Sequence, residues 1–184
     1  NVITTITSTN GKVTFDAAIH NAHSSAPQSL TINAMGDVLF SGEVGELTNS
    51  GALGDLVINT PAVTTFAKSV DAASLKTDVS GSGIAAGSAG NKVVIQAGSI
   101  TTSGDQHFAE LVQLDNPTLI NTRYLTTLTA TSGAVTFDKA IHNASSSVSQ
   151  SLTVVAANDV TFSGEVGQAT SVLGDLVINT PAVT

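Results

Sequence analysis

The sequence repeats itself at a long, regular interval, and this limits the chain to folds built by stacking similar units. Residues 11–45 match residues 133–167 at 25 of 35 positions, with an offset of 122. Residues 53–64 and 173–184 are identical and read LGDLVINTPAVT. Such fixed periods are typical of solenoids and repeat arrays. We therefore divide one solenoid section, residues 1–184, into a large repeat A at 1–122 and a partial repeat B at 123–184.

A shorter period of about 25 residues lies inside the large repeat and is marked by phenylalanine. Each of the six Phe residues is followed four residues later by Ile or Val. The surrounding segments, such as VLFSGEVG, are rich in Gly and β-branched residues, which favour strand over helix. The residue two positions after Phe is small or charged, as at Lys68, Glu110 and Lys139, so we expect a corner there with the charged side chains in solvent. The gap of 42 between Phe66 and Phe108 predicts one unit without Phe.

Units of strands and corners that cannot bury their own apolar faces predict an all-β fold, a parallel β-helix or β-solenoid with rungs of about 25 residues. In such a fold, equivalent residues lie about 4.8 Å above one another. We expect three interior ladders: one of Phe, one of the following Ile or Val, and one of Leu. The predicted ladder residues are Phe15, Phe40, Phe66, Phe108, Phe137, Phe162, Ile19, Val44, Val70, Val112, Ile141, Val166, Leu30, Leu56, Leu152 and Leu176.

The segment 79–104 departs from this unit because it is rich in Gly, Ser and Ala. We interpret it as a rung with small-residue corners and a strand at 92–96, and a flexible linker is the rival interpretation. Asn33, Asn59 and Asn179 each follow a predicted strand. We expect these three side chains to stack as a ladder at a turn.

The composition excludes several functional classes. The chain has 14 Asp and Glu against 6 Lys and Arg, a net charge of −8, which repels nucleic acid. It has no Cys and therefore neither disulfides nor thiolate metal sites. No apolar run is long enough for a transmembrane helix. We expect no nucleic-acid partner and no transmembrane segment.

The acidic and histidine residues form no recognisable catalytic pattern. Asp16, His20 and Asn21 recur 122 residues later, where Asp138 and His142 make the second Asp–His pair. A group that recurs with the fold suits a structural or binding role better than catalysis, and two ligands are too few for zinc. We predict no enzyme activity, no catalytic residue, no cofactor and no metal site. Ca²⁺ held between Asp residues of stacked loops is the alternative left open.

Several sequence phrases are similar to those of a known class of surface proteins. GxVTFxxAI, QSLTV, DVTFSGEVG, LGDLVINTPAVTTF and SITTSGDQHFAELVQL resemble the repeat regions of giant Gram-negative proteins of the filamentous haemagglutinin and autotransporter adhesin type. The resemblance covers nearly the whole chain. It implies a long, right-handed parallel β-helix stalk that is exported to the bacterial cell surface.

We expect a structural section of a repetitive extracellular β-solenoid that forms a fibre, sheath or adhesin stalk. Exposed rung edges polymerise unless they are capped, and neither end of the sequence shows an obvious cap. The expected partners are therefore further copies of the same repeat, end to end within a longer chain or between subunits. The alternative is an adhesin module that recognises glycan or a cell surface through loops that differ between the repeats, at 22–28 and 46–52.

Overall fold

The computed structural model describes residues 2–22, 25–45, 51–78, 90–115, 124–144, 148–168 and 170–181. In these residues all regular structure is β-strand, and the strands pair in parallel. The strands are β1 (Ile3–Ser8), β2 (Val13–Phe15), β3 (Ser29–Ala34), β4 (Val38–Phe40), β5 (Leu53–Asn59), β6 (Val63–Phe66), β7 (Val70–Thr77), β8 (Lys92–Ile95), β9 (Ser99–Thr102), β10 (Gln106–Phe108), β11 (Leu111–Leu114), β12 (Leu125–Ala130), β13 (Val135–Phe137), β14 (Ile141–Asn143), β15 (Ser151–Ala156), β16 (Val160–Phe162) and β17 (Leu176–Asn179).

The strands form three walls that the chain visits in a fixed order: wall 1, wall 2, wall 3. One visit to each wall makes a rung, and about six turns with a spacing of about 26 residues confirm the predicted parallel β-solenoid. Wall 1 contains β1, β3, β5, the second half of β7, β10, β13 and β16; wall 2 contains β2, β4, β6, β8, β11, β14 and Val166; wall 3 contains Ile19, Val44, the first half of β7, β9, β12, β15 and β17.

Strand β7 belongs to two walls. The longest connection between walls lies at one corner in the rungs before β7 and at another corner in the rungs after it. Its first three residues pair with β9 on wall 3, and its last three pair with β10 on wall 1. In the first two rungs the connection from wall 3 to wall 1 is long, at residues 20–28 and 45–52. In the last three rungs the longest connection instead joins wall 2 to wall 3, at 115–124, 144–150 and 167–175.

The structure differs from the single Phe ladder, because the six rings form two stacks on different walls. Phe15, Phe40 and Phe66 stack on wall 2, with successive ring centroids 5.1 and 5.3 Å apart. The other three Phe residues stack on wall 1, at 5.3 and 5.1 Å. The wall 2 stack continues into Ile95, which lies opposite Phe66 in the fourth rung. That rung contains no Phe, as the gap of 42 predicts.

The other two predicted ladders divide at the same place as the Phe ladder, after the third rung and therefore inside repeat A. Their members face the interior, and in the last rung Val166 and Leu176 are exposed. Each ladder therefore changes wall once along the chain, after the third rung. Ile19, Val44 and Val70 lie on wall 3 and Val112, Ile141 and Val166 on wall 2; Leu30 and Leu56 lie on wall 1 and Leu152 and Leu176 on wall 3.

Strands β8 and β9 supply walls 2 and 3 of the fourth rung, and β8 confirms the predicted strand at 92–96. Residues 79–89 of that segment lie outside the described residues. The predicted Asn ladder holds for one pair, since Asn59 Nδ2 donates a hydrogen bond of 2.8 Å to Asn33 Oδ1. Asn179 does not join them, because it lies on wall 3 opposite Val155.

Glu110 corrects one expectation about the corners. Its side chain is only 5% exposed, whereas Lys68 and Lys139, which also lie two residues after a Phe, reach solvent as predicted. The hydroxyl of Thr77 in the rung before donates a 2.9 Å hydrogen bond to Glu110 Oε2. This donor lets the carboxyl group lie inside the corner instead of outside it.

Candidate functional site

The recurring Asn of the AIHNA motif closes a loop. Asn143 is buried, and its Oδ1 accepts a hydrogen bond of 3.1 Å from the backbone N–H of Gln150. Its Nδ2 donates to the backbone oxygen of Val172 in the next rung. In repeat A, Nδ2 of Asn21 donates to the backbone oxygen of Ala26 at 3.4 Å. The motif therefore recurs because each repeat uses this side chain to hold a connection between walls.

The recurring SGEVG motif is explained by close stacking of corners. A Cβ atom at Gly42 would lie 2.4 Å from the carbonyl carbon of Ala17 in the rung before. A Cβ atom at Gly164 would lie 2.3 Å from the carbonyl carbon of Lys139. Real Cβ contacts are never this short, so only glycine fits where these corners stack.

Equivalent strands of the two repeats lie on different walls. Strands β1 and β3 form part of wall 1, but the strands 122 residues later, β12 and β15, form part of wall 3. Strands β2 and β4 lie on wall 2, and their equivalents β13 and β16 lie on wall 1. From β1 to β12 the chain makes fourteen moves from one wall to the next, which is four turns of three walls plus two walls. One large repeat therefore spans four and two-thirds turns, and not a whole number.

His107 and Asp138 form the one ion pair within the described ranges. Nε2 of His107 lies 2.8 Å from Oδ2 of Asp138, and both side chains are partly exposed. Asp138 thus contacts His107 from the neighbouring rung, and not His142, whose Nδ1 lies 2.9 Å from the backbone oxygen of Asn143. In the described part of the structure, Asp16 forms no ion pair with His20. An exposed pair of this kind contributes little to stability, about 0–1 kcal/mol.

A buried group of oxygen atoms lies at the corner from wall 1 to wall 2 in rungs three to five. Asp78 is buried with a φ of 51°, and its Oδ1 accepts a 2.9 Å hydrogen bond from the backbone N–H of Thr60. Its Oδ2 accepts a hydrogen bond from Nδ2 of Asn91. Glu110 lies over this corner from the next rung. We name Asp78, Asn91 and Glu110 the corner cluster.

The corner cluster perturbs the protonation of Glu110. Burial and, as the second cause, the nearby charge of Asp78 together raise the pKa of Glu110 to about 8. The hydrogen bond from Thr77 acts in the opposite direction but is the smaller effect. The described residues place no Lys or Arg in an ion pair with either carboxylate. Sequence reasoning missed this cluster because its members are 13 to 32 residues apart and follow no motif.

A shallow groove of about 260 Å³ lies on the outer face of wall 3 in the last three rungs. Tyr124, the single Tyr of the chain, lines it together with Ser151, Thr153 and Asp175. An aromatic ring beside hydroxyl and carboxylate groups offers both a stacking surface and hydrogen-bonding partners. Of the loops predicted to vary between repeats, residues 23–24 and 46–50 lie outside the described residues.

Both end rungs leave interior side chains uncovered. The first rung borders a groove of about 330 Å³ lined by Ile6, Phe15 and Ile19, among others. The last rung borders a groove of about 470 Å³ lined by Val166 and Leu176, among others. These residues belong to the ladders that are fully covered in the middle rungs. Each end therefore presents an apolar face with unpaired strand edges.

Comparison with known proteins adds nothing to the solenoid architecture described above. In the ranges described above, no three or more His, Asp or Glu side chains converge as metal ligands, and no helix is long and apolar enough to cross a membrane. No protein-family model, no curated protein and no solved structure matches the chain.

Proposed function

We propose that the chain is a structural section of a repetitive extracellular β-solenoid, which builds a fibre, sheath or adhesin stalk by stacking rung on rung. The role is mechanical and involves no catalysis. The resemblance to filamentous haemagglutinin and autotransporter adhesins supports a place on the bacterial cell surface. The observation that carries the proposal is that parallel strands stack in register through every described rung, from the first rung to the last.

The partner that fits these ends is a further copy of the same repeat, in the same polypeptide or in another subunit. A new rung would pair with the open strand edges and cover Ile6 at one end or Leu176 at the other. Burial of apolar surface contributes about 25 cal/mol per Å², and each strand pairing adds hydrogen bonds. The same physics that holds the middle rungs together would therefore extend the rod.

The register between repeats gives such a rod a definite surface pattern. Because one repeat spans four and two-thirds turns, each successive copy of a surface feature lies on a different wall. With a rise of about 4.8 Å per rung, the axial distance between copies is about 22 Å. Three copies bring the feature back to the same wall. A rod of this kind presents the same side chains on all of its faces.

Electron microscopy of the purified chain tests the stacking. We expect rods that lengthen with protein concentration, with the width of one solenoid. Ile6→Lys places a charge toward the interior of the first rung and should stop growth, because an inward charge on an edge strand opposes pairing. Thr5→Lys, on the outward face of the same strand, is the matched control and should leave growth unchanged. Monodisperse short particles without axial contacts would contradict the proposal.

The groove beside Tyr124 favours a second candidate function, an adhesin module that recognises glycan. Saccharide rings stack on aromatic side chains, and their hydroxyl groups would bond to Ser151, Thr153 and Asp175. A glycan array probed with the wild-type chain and with Tyr124→Ala tests this. Binding that is lost in Tyr124→Ala but kept in Thr136→Ala, on another wall, would support it. An array without binding would refute it.

A further inference from the structure

The corner cluster brings oxygen atoms from successive rungs into one buried place. Asp78 directly follows the wall 1 strand of the fourth rung, and Asn91 directly precedes the wall 2 strand of the same rung. Glu110 belongs to the same corner one rung further along. The hydroxyl of Thr77 and the backbone N–H of Thr60 fix one oxygen of each carboxylate. The stacking of corners therefore holds the two acidic groups next to each other.

The charges of this cluster are not balanced by the part of the chain that the structure describes. Asp78 and Glu110 are 6% and 5% exposed, and neither forms an ion pair there. Nζ of Lys92, the residue after Asn91, donates a 2.6 Å hydrogen bond to Oε1 of Gln113. Ionisation of two adjacent buried carboxyl groups without a positive partner is costly, and a cation between them would offset that cost.

An orphaned oxygen provides independent evidence for a ligand. Asn91 is only 8% exposed, and its Oδ1 has no hydrogen-bond donor. The orientation of the carboxamide is fixed, because Nδ2 donates to Oδ2 of Asp78. Exchanging the two atoms would turn the amide oxygen toward the carboxylate. Since Oδ1 and Nδ2 share one carbon atom, this unsatisfied acceptor lies beside the Asp78 carboxylate, and buried acceptors of this kind normally have a partner.

We propose that the corner cluster binds a divalent cation, with the carboxylates of Asp78 and Glu110 and the carboxamide oxygen of Asn91 as ligands. The donor set consists of oxygen atoms alone, which suits the hard cations Ca²⁺ and Mg²⁺. Ca²⁺ accepts six to eight oxygens in irregular geometry, whereas Mg²⁺ requires a near-ideal octahedron. An Asp, an Asn and a Glu from two stacked rungs form an irregular set, so Ca²⁺ is the expected ion. The site would join the fourth rung to the fifth, independently of the proposed stacking of copies.

Isothermal titration of the intact chain with CaCl₂, after treatment with a chelator, tests the site. We expect one Ca²⁺ per chain and binding of Mg²⁺ at least tenfold weaker. Glu110→Gln should weaken Ca²⁺ binding at least tenfold and still fold, because the amide keeps the size of the carboxyl group and can accept the hydrogen bond from Thr77. Asp78→Asn should do the same, since Asn tolerates the positive φ of this position.

Glu165→Gln is the matched control, because Glu165 is an exposed corner carboxylate in the last rung. Its Ca²⁺ affinity should equal that of the wild type. The thermal unfolding temperature provides a second readout and should rise with Ca²⁺ in the wild type and in the control only. Absence of Ca²⁺ binding up to 10 mM, or equal affinity in Glu110→Gln and the wild type, would overturn the proposal. Mg²⁺ binding as tight as Ca²⁺ binding would overturn the choice of ion.

Discussion

The substitution Gly42→Ala tests whether close corner stacking is what requires glycine in the SGEVG motif. A Cβ atom there would lie 2.4 Å from both the carbonyl carbon of Ala17 and the backbone nitrogen of Ala18, against ordinary contacts of 3.4 Å or more. Relief of the clash requires the two corners to separate by about 1 Å, an overpacking that typically costs 1–3 kcal/mol. Two backbone hydrogen bonds of 2.9 Å bracket the site and would weaken, at about 0.5–1.5 kcal/mol each.

Replacing glycine also lowers the conformational entropy of the unfolded chain, which raises the free energy of unfolding by about 0.4–1 kcal/mol and offsets part of this loss. We therefore expect Gly42→Ala to lower the free energy of unfolding by about 2–3 kcal/mol. Gly11→Ala is the control, because the nearest atom to its added Cβ is Oγ of Ser8 at 3.5 Å. Its effect should stay within about 0.5 kcal/mol. Urea unfolding followed by circular dichroism measures both, and equal stability of the two variants would refute the reasoning.

Three further predictions follow from the register and the buried groups. In a double-mutant cycle, Phe108→Leu and Phe137→Leu should show a coupling energy of about 0.5–1.5 kcal/mol, because the two Phe rings stack with centroids 5.3 Å apart. Strictly additive changes in the free energy of unfolding would contradict this stack. With chelator present, the free energy of unfolding should fall by up to about 5 kcal/mol as pH rises from about 4.5 to about 8, because the folded state holds the Glu110 proton more tightly than the unfolded state. In Glu110→Gln this decline should disappear. A wild-type free energy that rises with pH in this window would contradict the burial of Glu110. Cysteines at Lys76 and His107, which lie opposite each other on wall 1, should form a disulfide on mild oxidation of a chain that otherwise has no Cys, and failure to cross-link would contradict this register.

Much of the fold follows from local sequence patterns. The spacing of Phe and the following Ile or Val predicts the corner, because a strand that ran straight would turn Lys68 or Lys139 into the interior. In the structure Phe40 lies on wall 2 and Val44 on wall 3, which confirms that corner. Repetition of the unit then predicts parallel stacking, since each unit needs neighbours to bury its apolar face.

The wall on which each strand lies could not be predicted from the same patterns. All three walls have one buried face and one solvated face, so their strands have similar sequences. The wall of a strand depends on which corner carries the long connection of that rung. The sequence signal for this is a short spacing between two buried apolar residues. Leu75 follows Val70 by five residues, whereas Leu30 follows Ile19 by eleven. That shortening lets β7 pass from wall 3 to wall 1 without a loop and shifts repeat B by one wall.

The corner cluster was unpredictable for a different reason. Glu110 occupies a corner position where the equivalent residues Lys68 and Lys139 are solvent-exposed. Its buried carboxyl group is hydrogen-bonded by Thr77, which lies 33 residues earlier and becomes a neighbour only through stacking. A contact between rungs of different local sequence has no counterpart in a repeat pattern.

The helical symmetry of a polypeptide with three complete 122-residue repeats, measured by cryo-electron microscopy, tests the central claim most directly. The claim is that repeats stack into a continuous rod and that each one spans four and two-thirds turns. It predicts a rod in which each repeat advances about 22 Å along the axis and rotates by about one third of a turn relative to the last. An advance of about 24 Å without rotation, as five whole turns would give, or separate globular particles, would contradict it.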